Sequence, residues 1–523
     1  MKQKHIQTLR IILGDQLNRD SAIFDNFAPE SDLFWMAEVP EETEHVWCHQ
    51  LRIAFFFSAM RHFKAELDKD DFPSIYHKFP DRSEEPKHSS FSDRLAIDID
   101  EFKPAKLQCV RPGDWRVMEQ ITSIAQRKQI PVEWLPDRHF LSPVKSFETW
   151  ATNRKSLVLE TFYRHIRKQS GILMESESTP EGGQWNYDAD NRESFKKNSP
   201  PDGIEPPPIV PPDDITTEVL SLVRKRFSKH PGSLDNFDLP VTRSGALNWL
   251  DHFIEHRLPL FGKFQDAMWS ETHFLYHSRL SCLLNTKLLS PREVIDAALV
   301  AYRSNHAPLN SVEGFVRQII GWREFVRGIY WTKMPEYINL NHLDAQQDIP
   351  EFLWTGDTGM ACVKDAMSNV IQHGYAHHIQ RLMVLGLFAQ LLGVNPRKFH
   401  EWHMAMYLDA IDWVSLPNTV GMSQFGDGGI VGTKPYCATG NYIDRMSNHC
   451  KECRFNPKVA HGDKACPFTS LYWHFLARNE KTLNTNHRMG FQLNNLRRKG
   501  ADLKPILAHA EKIQSRLATT GIS

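Results

Sequence analysis

The chain has 523 residues, 41% of them hydrophobic, and a formal net charge of −1. That is room for about three domains or two large ones, and it excludes a partner selected by overall charge. Eight cysteines in a chain this long exclude a disulfide framework. With no apolar run near the roughly 18 residues a span needs, and no leader before the first strand, we expect a reduced, soluble, cytoplasmic monomer without membrane contact.

In chain order, 8–13 (TLRIIL) reads as a buried strand ending at Gly14 and Asp15, and 32–38 (DLFWMAE) as a second. Further strands are expected at 74–79, 107–111 and 132–135, with helices at 45–67 and 115–128 between them. Strand alternating with helix predicts a doubly wound parallel sheet, whose ligands sit beyond the carboxyl ends of the strands. Asp15 and Glu38 or Glu42 fall there, as ligand contacts or as helix caps. No G-x-G-x-x-G follows the first strand, which argues against a dinucleotide at that point. A helix is expected at 146–168. Residues 170–217 then read as a linker rich in Pro and Gly, and 170–220 hold 11 acidic residues against 3 basic ones. Within it, 182–188 (GGQWNYD) is too particular for a passive tether. From 217 onward the periodicity is helical, at 245–257, 291–304, 311–332, 362–392 and 396–408. The expected organisation is an α/β domain over 1–140, a helix and linker over 141–230, and an all-α domain over 231–523. The tail, 450–523, carries 13 Lys and Arg against 5 Asp and Glu, a pattern that suits phosphate contact or a solvated surface.

Four cysteines stand out: Cys450-x2-Cys453-x12-Cys466, with Cys362 as a remote fourth. Four thiolates suit Zn²⁺ or a [4Fe–4S] cluster, and spacing does not separate the two. Cys437 is a weaker competitor, and Cys48, Cys109 and Cys282 read as buried thiols. A clamp of this kind is expected to hold the last stretch of chain, which would undock without it. His373 and His377 are four apart on an expected helix and could share a face as ligands, but no carboxylate completes a zincin pattern. At 276–281, YHSRLS sets two hydroxyls and a guanidinium in a turn before a helix, a phosphate-binding arrangement or simply a cap.

Around that turn lie 261–269 (FGKFQDAMW), 288–293 (LLSPRE) and 318–325 (QIIGWREF). In these the sequence resembles the photolyase/cryptochrome family. Together with 14–17 (GDQL), 57–63 (FSAMRHF), 134–140 (WLPDRHF), 182–188, 412–414 (DWV), Pro417-Asn418 and the four cysteines, it is similar to the iron–sulfur bacterial branch and its (6-4) photolyases. The resemblance implies an antenna domain, a linker and a helical FAD domain. Ser278, Arg279 and Ser281 would meet the flavin phosphates. Gln318 and Arg323 would approach the ring or lesion side, Asp409 the flavin pocket, and Asn418 the reactive ring nitrogen. It implies a [4Fe–4S] cluster on Cys362, Cys450, Cys453 and Cys466, and a 6,7-dimethyl-8-ribityllumazine antenna held by Asp15 and Glu42. His377 and His378 match an adjacent pair beside the lesion, with His378 as proton donor. Trp402 and Trp354 would carry electrons to the flavin, Tyr436 and Tyr442 would line the lesion pocket, and Trp322 and Trp413 would be core. The implied substrate is UV-damaged DNA with the lesion flipped out. A photosensory cryptochrome, a cyclobutane-dimer photolyase and a light-independent, cluster-bearing nucleic-acid-binding protein are the alternatives.

Overall fold

The expected strands form one five-stranded parallel sheet: β1 (Thr8–Ile11), β2 (Asp32–Ala37), β3 (Ser74–His77), β4 (Lys106–Val110) and β5 (Val132–Leu135), in the order β3-β2-β1-β4-β5. The computed structural model describes residues 6–80, 90–196 and 200–519. At the centre, Thr8 lies opposite both Asp32 of β2 and Lys106 of β4. Alternation sends Leu9 and Ile11 to one face, where they pack with Leu95, Ile99 and Ile121 of the helices Phe91–Phe102 and Trp115–Arg127. Ile12 and Phe34 join the opposite layer with Phe55, Ala59 and Phe63 of helix Gln50–Lys69. Each such side chain contributes about 1.5–3 kcal/mol by leaving water. The strand order reverses between β1 and β4, so a crevice opens at their carboxyl ends.

Among the described residues, 171–213 contain no α-helix, and GGQWNYD is fastened rather than loose. The Trp185 ring lies beneath Arg164, Arg167 and Lys168. Its carbonyl accepts from Arg167 Nη1 at 3.0 Å. Tyr187 N donates to Glu313 Oε2 at 3.1 Å, and Asp188 pairs with Arg317.

The helical part departs from the expected long helices in one recurring way. Expected helix 311–332 is Leu309–Val316, a π-helical turn Arg317–Arg323, and Glu324–Lys333. Expected helix 362–392 stops at His373, because Gly374 turns left-handed (φ 57°). It resumes at His378 and passes through a second π turn, Arg381–Gly386, before Leu387–Leu392. A third π turn is Pro417–Ser423. His373 and His377 therefore do not share a helix face; His373 instead lies 5.0 Å from the ring of His273.

The two parts meet along a hydrogen-bonded seam. Trp413 N donates to Gly113 O at 3.0 Å, and Trp115 N donates to Tyr330 Oη at 2.8 Å. Tyr330 in turn donates to Asp412. The Glu324 carboxylate accepts from Leu141 N and Ser142 N, both at 3.0 Å. His49 Nε2 reaches Ile371 O at 3.0 Å, and Gly232 (φ 84°) lies so close that a Cβ would stand 1.9 Å from the His49 ring. Gly232→Ala is expected to cost about 2 kcal/mol or more, read as a lowered urea midpoint with an unchanged m-value.

The tail does not hang on cysteines alone. Helix Pro467–Arg478 buries Phe468, Leu471, Phe475 and Leu476, and packs against Leu387–Leu392 and Leu503–Thr519. That apolar contact acts beside the cysteines in holding the tail. Among the described residues no helix is long and apolar enough to cross a membrane.

Candidate active site

The three π turns converge on one cavity of about 800 Å³, within the range of sites that bury a large ligand. An extra residue per turn re-aims side chains that regular helix would carry past the opening. Ten sequence-predicted residues line it: Ser278, Arg279, Ser281, Gln318, Arg323, His377, His378, Asp409, Asn418 and Tyr436. Trp322, expected in the core, lines it as well, whereas Trp413 is buried. Tyr442 does not line it, though it lies within electrostatic reach of Asp266, which does. From the basic tail, exposed Arg488 lines the cavity, joined by Arg192 from the fastened strap.

The YHSRLS turn is held open by Arg279. Its backbone is left-handed (φ 56°), and its Nη1 and Nη2 meet Asp238 at 3.0 and 3.2 Å beneath the Phe274 ring at 4.0 Å. With both Nη atoms committed, Arg279 anchors the turn and leaves the hydroxyls of Ser278 and Ser281 to face a ligand. Asp409 is also committed, to Arg381 at 3.0 and 3.1 Å. Arg381 Nε donates to Ala376 O at 2.6 Å, which ties the acid to the chain just before the histidines. Burial opposes the Arg381 charge, but Asp409 and Tyr407 outweigh it and its pKa rises. Asn418 donates to Val414 O at 2.7 Å and Gln318 to Gly314 O at 2.8 Å.

Several buried polar atoms around this cavity have no partner among the described residues: Arg323 Nε and Nη1, His277 Nε2, His377 Nδ1, His403 Nδ1 and Ser415 Oγ. Unpartnered buried groups cost free energy until something satisfies them. A large ligand rich in acceptors and hydroxyls, as a flavin dinucleotide is, fits that demand. Burial lowers the Arg323 pKa to about 10, with Glu324 and Asp137 pulling the other way.

The histidines differ in access. His377 is 2% exposed, whereas His378 presents its ring to the cavity. Protein surrounds both, and that desolvation, with Arg381 adding to it, brings His378 down to about 4. His377 is pushed well below the usual histidine range by burial and then by His277 and His378. His277, to which the YHSRLS motif assigns no role, stacks on His377 at 4.5 Å with an interplanar angle of 9°.

Trp402 is buried and stacks on Phe399 at 5.4 Å, and Phe399 lines the cavity. The Trp402 indole N–H donates to Leu353 O at 2.8 Å. The adjacent Trp354 lies 5.6 Å from Trp47, which is 48% exposed. Trp47 belongs to the stretch before helix Gln50–Lys69, far from both in sequence, and no local signal links it to them.

A second cavity, of about 140 Å³, occupies the crevice at the carboxyl ends of β1 and β4, with the end of β2 on its other side. Asp15, Glu42, Asp114 and Asp412 line it with Phe56, Met60 and Ile411. Asp15 accepts from Gly113 N at 2.9 Å, and burial raises it to about 6. Burial and the neighbouring Asp412 raise Asp114 to about 7. Glu42 accepts from Arg116 at 2.8 and 3.0 Å, which outweighs its burial and lowers its pKa. A Cβ on Gly113 would stand 2.6 Å from Asp15, so glycine keeps that acid in place. Carboxyl groups able to donate and accept beside an aromatic and aliphatic wall suit a planar, polar-edged chromophore.

Cys362, Cys450, Cys453 and Cys466 line a third, small cavity, and Cys437 does not. Among the described residues no group of three or more His, Cys, Asp or Glu is set to hold a metal ion. Cys362 nevertheless lies within electrostatic reach of the other three: burial and then those cysteines push it far up, and burial takes Cys466 to about 11. Such a set of thiols fits a ligand that stabilises thiolates. A Cβ on Gly440 would stand 2.7 Å from Cys466 Sγ.

The ligand-free protein should lose stability in acid. Burial first of all holds His49 and His378 at about 4, His277 at about 3, and His139, His377 and His403 well below 6.5. The unfolded chain takes up those protons below pH 6.5 and the folded chain does not, so stability falls as pH drops from 6.5 toward 4. Asp15, Asp266 and Asp114, raised to about 6, 6 and 7, act oppositely over pH 4–7. With every shifted group included, twelve histidines are lowered and seven acids are raised. Urea midpoints are expected to fall between pH 7 and pH 5, and a flat profile would contradict neutral buried rings.

The fold is that of photolyases and cryptochromes. The structure aligns with a bacterial class III photolyase from Agrobacterium tumefaciens at a TM-score of 0.54 and 17% identity, covering 85% of this chain and 87% of that one. It aligns with a cryptochrome from Synechocystis sp. PCC6803 at 0.53 and 13%, covering 92% and 95%. In sequence, a family model described as deoxyribodipyrimidine photo-lyase-related protein matches residues 10–239. The chain is 45% identical over 482 residues to a (6-4) photolyase of Agrobacterium fabrum, 92% of this chain and 94% of that protein. It belongs to the photolyase/cryptochrome family.

Proposed function

We propose that the protein is a (6-4) photolyase, which uses light to repair (6-4) pyrimidine–pyrimidone products in DNA. The observation that carries this reading is the His377-His378 pair at the wall of a large cavity lined by unpartnered polar atoms, in a chain 45% identical to a (6-4) photolyase. Reduced FAD, when bound and illuminated, supplies the electron. Ser278 and Ser281 hold its phosphates, and Arg323 Nε and Nη1 donate to the ring or the lesion. Asn418 approaches the ring from its π turn. His378 gives its proton to the lesion, being the histidine whose ring a flipped base can reach. Phosphate groups of nucleotide and DNA are the anions that raise it from its ligand-free value of about 4.

Trp402, Trp354 and Trp47 supply a route for electrons from solvent to the cavity. Asp15 and Glu42, with Asp114, hold the polar edge of a lumazine antenna. The four cysteines hold a [4Fe–4S] cluster that joins the start of helix Ala361–His373 to the start of helix Pro467–Arg478. Arg192 and Arg488 meet DNA phosphates, so affinity falls steeply with salt.

The test is an illuminated assay of reduced protein on oligonucleotides carrying either lesion. Conversion of the (6-4) product with the cyclobutane dimer left intact is expected. Blue light that leaves the (6-4) product unchanged rejects the reading, and conversion of the dimer instead assigns the other photolyase class.

A further inference from the structure

We propose that His277 is a positioning residue of the repair site: stacked on His377 inside the same cavity, it restricts the group His277, His377 and His378 to a single proton. The inference rests on reading this cavity as the repair site. Two near-parallel imidazoles 4.5 Å apart tolerate one charge between them, because a second would face it across a distance with no room for water. The neighbours on every side reinforce that limit. His277 faces His378 and Arg257, and only the Gln265 backbone carbonyl favours a charge on it. His377 faces His277, His378, Arg381 and His449. His378 faces Arg381. No carboxylate acts directly on the three rings among these neighbours: Arg381 is matched to Asp409 and His449 to Asp365.

The arrangement has a chemical use. A donor must hold its proton until the lesion is in place, and must be the only one holding it. His377 is stacked and 2% exposed, so the single proton the group holds rests more readily on His378, whose ring faces the cavity. His277 Nε2 and His377 Nδ1 have no hydrogen-bond partners among the described residues. Their rings are therefore oriented by stacking, by the Gln265 contact at His277, and by the backbone, since Arg257 Nη1 donates to His277 O at 2.8 Å.

The experiment follows histidine ring carbons by NMR in flavin-loaded protein labelled at histidine, in the dark, with and without an oligonucleotide carrying the (6-4) product. His277→Phe keeps a stacked ring without nitrogens, and His277→Asn keeps a donor for the Gln265 carbonyl without a titrating ring. In both variants the His377 resonance, which His277 holds down, is expected to titrate about one pH unit or more higher than in the wild type. The pH limb of the repair rate should move with it. Midpoints that stay put in both variants overturn the proposal, as does a wild type in which two of the three rings become charged together. Shifted midpoints in a protein that repairs neither lesion would instead overturn the functional reading beneath it.

Discussion

His378→Ala is expected to lower the rate of (6-4) repair by roughly a hundred- to ten-thousand-fold, the range a positioned acid supplies, while flavin content and urea midpoint stay at wild-type values. The geometry separates the two effects. The His378 ring stands at the cavity surface, so its removal leaves neither a void in the core nor a partner unsatisfied. His377→Ala is different in kind, because His377 is buried and stacked on His277 and its removal opens a hole behind the site. Single-turnover repair, read by chromatography of the oligonucleotide after a light pulse, distinguishes lost chemistry from lost binding. A His378→Ala protein that repairs within a few-fold of wild type would move the proton donor elsewhere, with His277 and Tyr436 the next groups on the cavity wall. The wild-type rate should decline as pH rises through the His378 pKa of the loaded site, and His378→Ala should abolish that limb.

The parts of the architecture that follow from hydrophobic runs are legible in the sequence. The doubly wound sheet follows from five short apolar segments, each appearing within a few residues of its expected ends. Ten of the cavity residues follow from resemblance, four of them, Ser278, Arg279, Ser281 and Arg323, from the YHSRLS and WREF segments alone. What is hidden depends on contacts distant in sequence or on a one-residue change of pitch. A π turn leaves the spacing of apolar residues nearly intact over a few turns, so 311–332 and 362–392 read as unbroken helices. Arg279 looks like a free phosphate ligand until Asp238, 41 positions earlier, is seen beside it. His277 looks like a spacer in its motif because its partner lies a hundred residues away. Trp47 reaches Trp354 only through the docking of the two parts of the chain. Asp114 caps helix Trp115–Arg127, and nothing local reveals that Asp412 raises its pKa.

The Arg381–Asp409 pair carries the second large effect. Its side chains are 19% and 11% exposed, and its hydrogen bonds are 3.0 and 3.1 Å. Asp409→Asn keeps the shape and removes the charge, leaving Arg381 with the Ala376 carbonyl at 2.6 Å and the Tyr407 ring at 4.0 Å as compensation. A buried charge stripped of its counter-ion costs about 3 kcal/mol, expected as a fall in the urea midpoint at constant m-value. Repair should fall as well, because Arg381 Nε holds the carbonyl immediately before His377 and the freed guanidinium would pull that segment toward solvent. The decisive variant is Asp409→Asn with Arg381→Met, which removes both charges and keeps an apolar body under Tyr407. If the single variant suffers from an unmatched charge, the double variant should recover much of the lost stability while repair stays low, since the tie to Ala376 is gone. A double variant less stable than the sum of the two single ones would mean that the pair stabilises the fold outright. The acid beside the flavin cavity would then be a structural strut rather than a group retained to aim the histidines.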